Sequence, residues 1–241
     1  MITSRQNSLI KEIKSLSLKK YRDETGLFLV EGVKSVKEAV SCGIKVRDLI
    51  FTERGKELFG NCILPFETVT DGVFDAITDD KTPQGVLAVC HIPKFSETDT
   101  DCKSVFLDGV SDPANVGAII RSAAAFGYGT VFIADGADAY SAKSVRASMG
   151  GIFRVKVFSG KREELLAKVK VPILVADMDG KDLRSVKIAP AHCIAVGNEG
   201  HGVSKEVKAA GEKVISVPMQ NGMESLNAAV SASIIMYELT K

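Results

Sequence analysis

No apolar run in the 241-residue chain approaches the roughly 18–20 residues that a membrane-spanning helix requires. The amino terminus, MITSRQNSLIKEIKS, lacks the apolar core of a secretory signal, so the expected location is the cytoplasm. Neither a CxxC pair nor an even, clustered set of cysteines is present. Cys42, Cys62, Cys90, Cys102 and Cys193 are scattered, which argues against a disulfide framework or a zinc knuckle and leaves buried structural thiols, with a reactive thiol as the alternative. No metal site is expected. An excess of charge is also missing: 31 basic against 30 acidic residues give +1, which excludes a histone-like protein. The chain has no internal repeat, no low-complexity tract, no GxGxxG and no GxxxxGK[ST].

What charge there is lies segregated. Residues 1–22 carry Arg5, Lys11, Lys14, Lys19, Lys20 and Arg22 against Glu12 alone, a balance of +5, whereas residues 67–101 stand at −6. A basic amino-terminal face fits phosphates; a solvated helix face fits the same charges.

A length of 241 residues suits one large domain or two modest ones. Up to residue 92 the pattern is mixed. Leu9, Ile13 and Leu16 have helical spacing, Leu27–Val30 reads as a strand, and Val33–Val40 reads as a helix ending at Gly43. Strands are expected at 46–51 and 85–91, which makes a small α/β domain over 1–92. Residues 93–103, PKFSETDTDCK, have the composition of a linker. From 104 to 241, short apolar runs at 105–110, 130–134, 155–158, 172–176, 192–196 and 214–217 alternate with helical stretches at 114–126, 142–149, 161–169, 203–210 and 225–239. That rhythm predicts a parallel sheet buried on both faces, with ligands at the carboxyl ends of its strands.

Three loops following those strands hold the chemically informative residues. In SDPANVGAIIRSAAAFG, Asp112-Pro113 sets a turn before a helix carrying Asn115, Gly117 and Arg121 on one broad face. An Asn and an Arg near a helix start suit anion contact, though an ordinary capped helix fits them too. In GNEGHGVS, three glycines let backbone approach a ligand, Glu199 sits at the crest, and His201 is either titratable or simply solvated. In PMQNGMESLNAAVSASIIMYE, Ser225 is expected at or near a helix N-cap and Asn227 in the first turn.

The ordered trio DPANVGAIIRSA, VGNEGHGVS and ISVPMQNGMESLNAAVSAS resembles the three motifs of SpoU (TrmH-type) RNA 2′-O-ribose methyltransferases of the SPOUT superfamily. The likeness is close over 104–241. Residues 1–92, with VEGVKSVKEAV, more diffusely resemble the L30e-like RNA-binding domain found in that family. The resemblance implies an α/β SPOUT domain with a deep carboxy-terminal trefoil knot, a homodimer formed through that domain, and S-adenosyl-L-methionine as methyl donor. It places the cofactor at Gly197, Val217, Met219 and Leu226, and the catalytic set at Asn115, Arg121, Glu199, Ser225 and Asn227. It implies attack of a ribose 2′-hydroxyl on the sulfonium methyl. Because a guanidinium holds its proton firmly, Arg121 is expected to clamp an RNA phosphate, leaving proton removal to the phosphate, a water or Glu199. Lys11, Lys14, Lys19 and Lys20 are expected to meet structured RNA, with ribosomal RNA ahead of transfer RNA. Two competing readings are a non-catalytic RNA-binding protein of the same fold, disfavoured by the complete catalytic set, and a nucleotide-cofactor enzyme, disfavoured by the missing glycine fingerprint.

Overall fold

A computed structural model describes residues 1–96, 102–221, 223 and 225–240, so part of the 93–103 stretch lies outside the described residues. The chain forms two units, Met1–Lys94 with Tyr140–Arg146 and Phe95–Ala139 with Ala147–Lys241. Phe95 belongs with the second: its ring lies 6.0 Å from Phe158, against that unit's core.

The first unit runs α1 (Ser8–Ser15), α2 (Lys19–Thr25), β1 (Leu27–Glu31), α3 (Val33–Ser41), β2 (Val46–Phe51), α4 (Glu53–Phe59), β3 (Glu67–Thr68), α5 (Asp71–Phe74) and β4 (Val86–His91). Its sheet order is β1-β4-β2-β3, with β4 antiparallel to both neighbours. Asn7 caps α1 by accepting from Leu9 N at 2.9 Å, and the helix turns Ile10 and Ile13 into a core with Leu27, Ile50, Phe74 and Leu87. Two of the residues read as a basic face are directed elsewhere. Arg22 is 4% exposed and donates to Leu16 O at 2.6 Å, while Arg5 donates to Gly72 O at 2.8 Å. Each satisfies a backbone carbonyl, a need that a linear count of charge does not register.

The second unit is built on β5 (Ser104–Asp108), α6 (Pro113–Ala125), β6 (Thr130–Ala134), α7 (Ala142–Ala147, shared with the first unit), β7 (Lys156–Gly160), α8 (Arg162–Leu166), β8 (Ile173–Asp182), β9 (Cys193–Gly197), α9 (Lys205–Ala210), β10 (Lys213–Ser216) and α10 (Ala228–Glu238). Its sheet is parallel throughout, in the order β10-β8-β9-β5-β6-β7. Alternation sends Phe106, Phe132, Val175 and Ala195 to one face, where they meet Leu165 of α8 and Val207 of α9. On the sheet's other side α6 and α10 pack together, and α10 also rests on β9. The connections leave β5 and β9 toward opposite edges of the sheet, and Asp108 and Gly197 stand in register at the ends of that parallel pair. Such a switch point opens a crevice above the carboxyl ends.

Cys90 and Cys193 are buried, and burial pushes both thiols up to about 12. Cys42, Cys62 and Cys102 are only half-buried, so the reading of all five as interior thiols holds for two.

Candidate active site

The loop after β9 is a tight hairpin. Asn198 and Gly202 exchange backbone hydrogen bonds at 3.1 and 2.9 Å, with Gly202 at φ +67°. A Cβ on Gly197 would stand 2.1 Å from the Gly202 carbonyl carbon, so only glycine lets the hairpin close. Asn198 fastens it further. Its Nδ2 donates to Gly109 O at 2.9 Å in the loop after β5, and its Oδ1 accepts from Gly200 N at 2.9 Å. The sequence left Asn198 without a role; its structural signal was an amide beside three glycines. Below, buried Asp108 binds Arg162 Nε at 2.5 Å and accepts from Ser204 N at 2.7 Å, joining the end of β5 to α8 and to the start of α9.

Asp112 caps α6 by accepting from Ala114 N at 3.0 Å, with Pro113 in the first turn. This sets Asn115 beside the hairpin, where its Nδ2 donates to Glu199 Oε1 at 2.6 Å. Asn227 in turn donates from Nδ2 to Asn115 Oδ1 at 3.0 Å. Residues separated by 84 and 112 positions thus form one chain of hydrogen bonds ending on a carboxylate.

One expectation needs correction. Ser225 does not cap α10, and 225–227 are not helical. The cap is Asn227, whose Oδ1 accepts from Ala229 N at 2.9 Å and Val230 N at 3.3 Å, so the helix starts at Ala228. Asn is at least as good a cap as Ser, and here it also has Asn115 to hold it.

Ser225 instead lines a cavity of about 460 Å³ together with Glu199 and with Gly197, Val217, Met219 and Leu226, the four residues assigned to the cofactor. Its apolar wall is Val196, Ile215 and Ile235, and its polar lining includes Asp177, Ser216 and Lys208. That volume and that mixture match a small-molecule site. An apolar wall suits a purine and the polar rim suits ribose and amino-acid groups, so S-adenosylmethionine fits. Asp177 is held below the usual carboxylate range, chiefly by the Lys208 ammonium at 2.5 Å. Among the described residues no cluster of His, Cys, Asp and Glu suits a metal ion, and no helix is long and apolar enough to cross a membrane.

Arg121 is not brought to this cavity. It is exposed on α6, has no hydrogen-bond or ion-pair partner among the described residues, and is not among the cavity's lining. It stands six residues beyond Asn115, about 120° around the helix rather than on the same face. Of the RNA-binding lysines, Lys19 pairs with Asp23 at 2.6 Å and Lys20 with Glu24 at 3.9 Å, both along one helix. Lys11 and Lys14 are exposed and have no such partners among the described residues.

Residues 103–237 match the SpoU rRNA Methylase family and residues 7–88 the MRM3-like substrate binding domain. The chain is 31% identical over 248 residues to the 23S rRNA (guanosine(2553)-2'-O)-methyltransferase RlmP of Bacillus subtilis (strain 168), covering 99% of this chain and 98% of that protein. A 23S rRNA (uridine(2479)-2'-O)-methyltransferase of Streptomyces viridochromogenes is 28% identical over 91% of this chain and 84% of its own. Among solved structures, a TrmH-family protein from Porphyromonas gingivalis superposes with a TM-score of 0.87 at 32% identity, covering 99% of this chain and 98% of that one. An AdoMet-bound rRNA methyltransferase from Sinorhizobium meliloti gives 0.86 at 27%, covering 99% and 96%. The protein belongs to the SpoU rRNA methylase family.

Proposed function

We propose that this protein transfers a methyl group from S-adenosylmethionine to a ribose 2′-hydroxyl of ribosomal RNA. The observation that carries the reading is the Asn227–Asn115–Glu199 chain set beside a cavity lined by Gly197, Val217, Met219 and Leu226. The names of the relatives favour ribosomal over transfer RNA.

When bound, the cofactor supplies an electrophilic methyl on a sulfonium. This chain's residues do the rest. Gly197, Val217 and Leu226 hold the cofactor by close backbone approach, with Met219 beside them. Ser225 and Glu199 face the same cavity. Glu199 is fixed by the Asn115 amide, which leaves its other oxygen to orient or accept the proton of an incoming hydroxyl. Arg121, exposed and outside its own chain's cavity, clamps an RNA phosphate.

Residues 1–92 serve as the L30e-like RNA-binding domain, joined by 93–103 to the catalytic domain at 104–241. The path from edge strand β10 back to α10 on β9 supports a trefoil knot. Pairing of two chains through the carboxy-terminal domain is supported by α10, which leaves Val230 and Tyr237 46% and 52% exposed. The relatives, named as ribosomal RNA methyltransferases, support the cytoplasm as the place where this protein works.

The test is to incubate the purified protein with radiolabelled S-adenosylmethionine and, separately, with ribosomal RNA and transfer RNA lacking the modification. Label in a 2′-O-methylated nucleotide of ribosomal RNA is expected. Label only in transfer RNA overturns the substrate, and RNA binding without label overturns the enzyme.

A further inference from the structure

Strand β8 pairs with β9 only through Ile173, Leu174 and Val175. Beyond them its pairing with β10 jumps: Val175 faces Val214, yet the next partner of β10, Ile215, faces Lys181. Residues 176–180 therefore stand out of the ladder. The bulge closes because a Cβ at Gly180 would lie 2.5 Å from the Ile215 carbonyl carbon, a contact only glycine avoids. Of the bulged residues, Ala176, Asp177, Met178 and Asp179 line the cofactor cavity.

Asp177 is the most enclosed carboxylate there. Its side chain is 15% exposed, one oxygen lies 2.5 Å from Lys208 Nζ, and the other accepts from Asp179 N at 3.2 Å. Lys208 reaches it from α9, on the neighbouring crossover, and lines the same cavity. Neither residue takes part in the chemistry described above. Their position is informative. Asp177 lies two residues past the last β8 residue paired with β9, where the parallel ladder ends, and β9 itself ends in the glycine-rich hairpin. In doubly wound sheets that bind nucleotides, an acid at the end of the strand beside the glycine turn takes the ribose hydroxyls. The chemistry is general: a vicinal diol offers two donors, and a carboxylate offers acceptors for both.

We propose that Asp177 accepts the ribose hydroxyls of the adenosyl group and that Lys208 holds its carboxylate in place for that contact. The inference rests on the S-adenosylmethionine reading of the cavity. It makes Asp177 a determinant of cofactor specificity, selecting a ribonucleoside over its deoxy counterpart.

Calorimetric titration of the full-length protein with S-adenosylhomocysteine and with its 2′-deoxyribose analogue tests it, using wild type, Asp177→Asn and Lys208→Met. Wild type should prefer the ribose ligand by roughly tenfold or more, since a site built to pair a hydroxyl rejects the ligand lacking it. Asp177→Asn should weaken S-adenosylhomocysteine about as much and bring the two ligands within about twofold of each other. Lys208→Met should weaken both while keeping the preference. Equal binding of both ligands by wild type overturns the proposal. So does an Asp177→Asn protein that retains the wild-type affinity or the wild-type preference, because a carboxylate that merely clamps α9 would change affinity without changing the ratio. Failure of wild type to bind either ligand overturns the cofactor reading and this inference together.

Discussion

Asn227 donates its amide to Asn115 across 3.0 Å while its carbonyl oxygen caps α10. One side chain thus ties the start of a helix to the orientation of the residue that holds Glu199. Asn115 has no capping duty, so the two can be told apart. Asn227→Ala should lower stability by about 1 kcal/mol from the lost cap and also lower methyl transfer. Asn115→Ala should lower methyl transfer similarly with little change in stability. Urea unfolding alongside a methylation assay separates them; equal losses of stability would contradict the division of labour.

Gly197 is set by backbone contact alone. Adding one methyl there forces the Asn198–Gly202 hairpin open, because a Cβ cannot sit 2.1 Å from a carbonyl carbon. Gly197→Ala should therefore destabilise by roughly 1–3 kcal/mol, the scale of overpacking, and abolish binding of S-adenosylhomocysteine. A variant that binds normally in calorimetry would show that the hairpin is not part of the cofactor wall.

The parallel strands were legible because burial on both faces writes them as short, continuous apolar runs. Thr130–Ala134 matches to the residue, the other strand boundaries shift by one or two positions, and β8 runs six residues past its expected end at 176. The cavity lining was legible through glycine-rich and Asn/Ser-rich loops placed after strands. Pairwise geometry was not. Nothing local shows that Asn198 bonds Gly109 or that Asn227 outcompetes Ser225 as a cap, because both outcomes depend on residues more than 80 positions away. The bulge of β8 was equally hidden, since residues 176–180 carry no apolar periodicity to lose. Arg22 counted as surface charge until its bond to the Leu16 carbonyl placed it inside.

The lysines of the first unit differ in what holds them. Lys19 and Lys20 each have an acid four residues on, whereas Lys11 and Lys14 face solvent without such a partner among the described residues. Neutralising Lys11 and Lys14 together should reduce the slope of log K against log salt for RNA binding by about 1.5, near the value for two phosphate contacts. The same change at Lys19 and Lys20 should reduce it less. Filter binding over a salt series reads both slopes, and a flat response in wild type would remove the lysines from the interface.

Arg121 is a fork on an exposed helix face, apart from the cavity. Arg121→Lys keeps the charge and loses the fork, so kcat/KM should fall roughly tenfold to hundredfold, the scale of one charge-assisted hydrogen bond, with the rise in KM for RNA as the larger part. The pH–rate profile should keep its shape. A variant that stays active with a profile following the lysine amine would show that this position removes the proton.

His192 is 1% exposed, donates from Nδ1 to Ala189 O at 2.8 Å and accepts at Nε2 from the Tyr128 hydroxyl at 2.9 Å. Burial holds its pKa below the usual 6.5, so the folded chain keeps it neutral. As pH falls through about 6.5 the unfolded chain binds a proton that the folded chain refuses, and stability declines. The contribution is complete above that pH and is lost below it, with a limiting slope of about 1.4 kcal/mol per pH unit. The urea midpoint should therefore drop between pH 7 and pH 5.5, before most carboxylates titrate. His192→Gln, unable to gain a proton, should start lower at pH 7 and show a shallower decline. Parallel declines in the two proteins would mean that another group sets the acid limit.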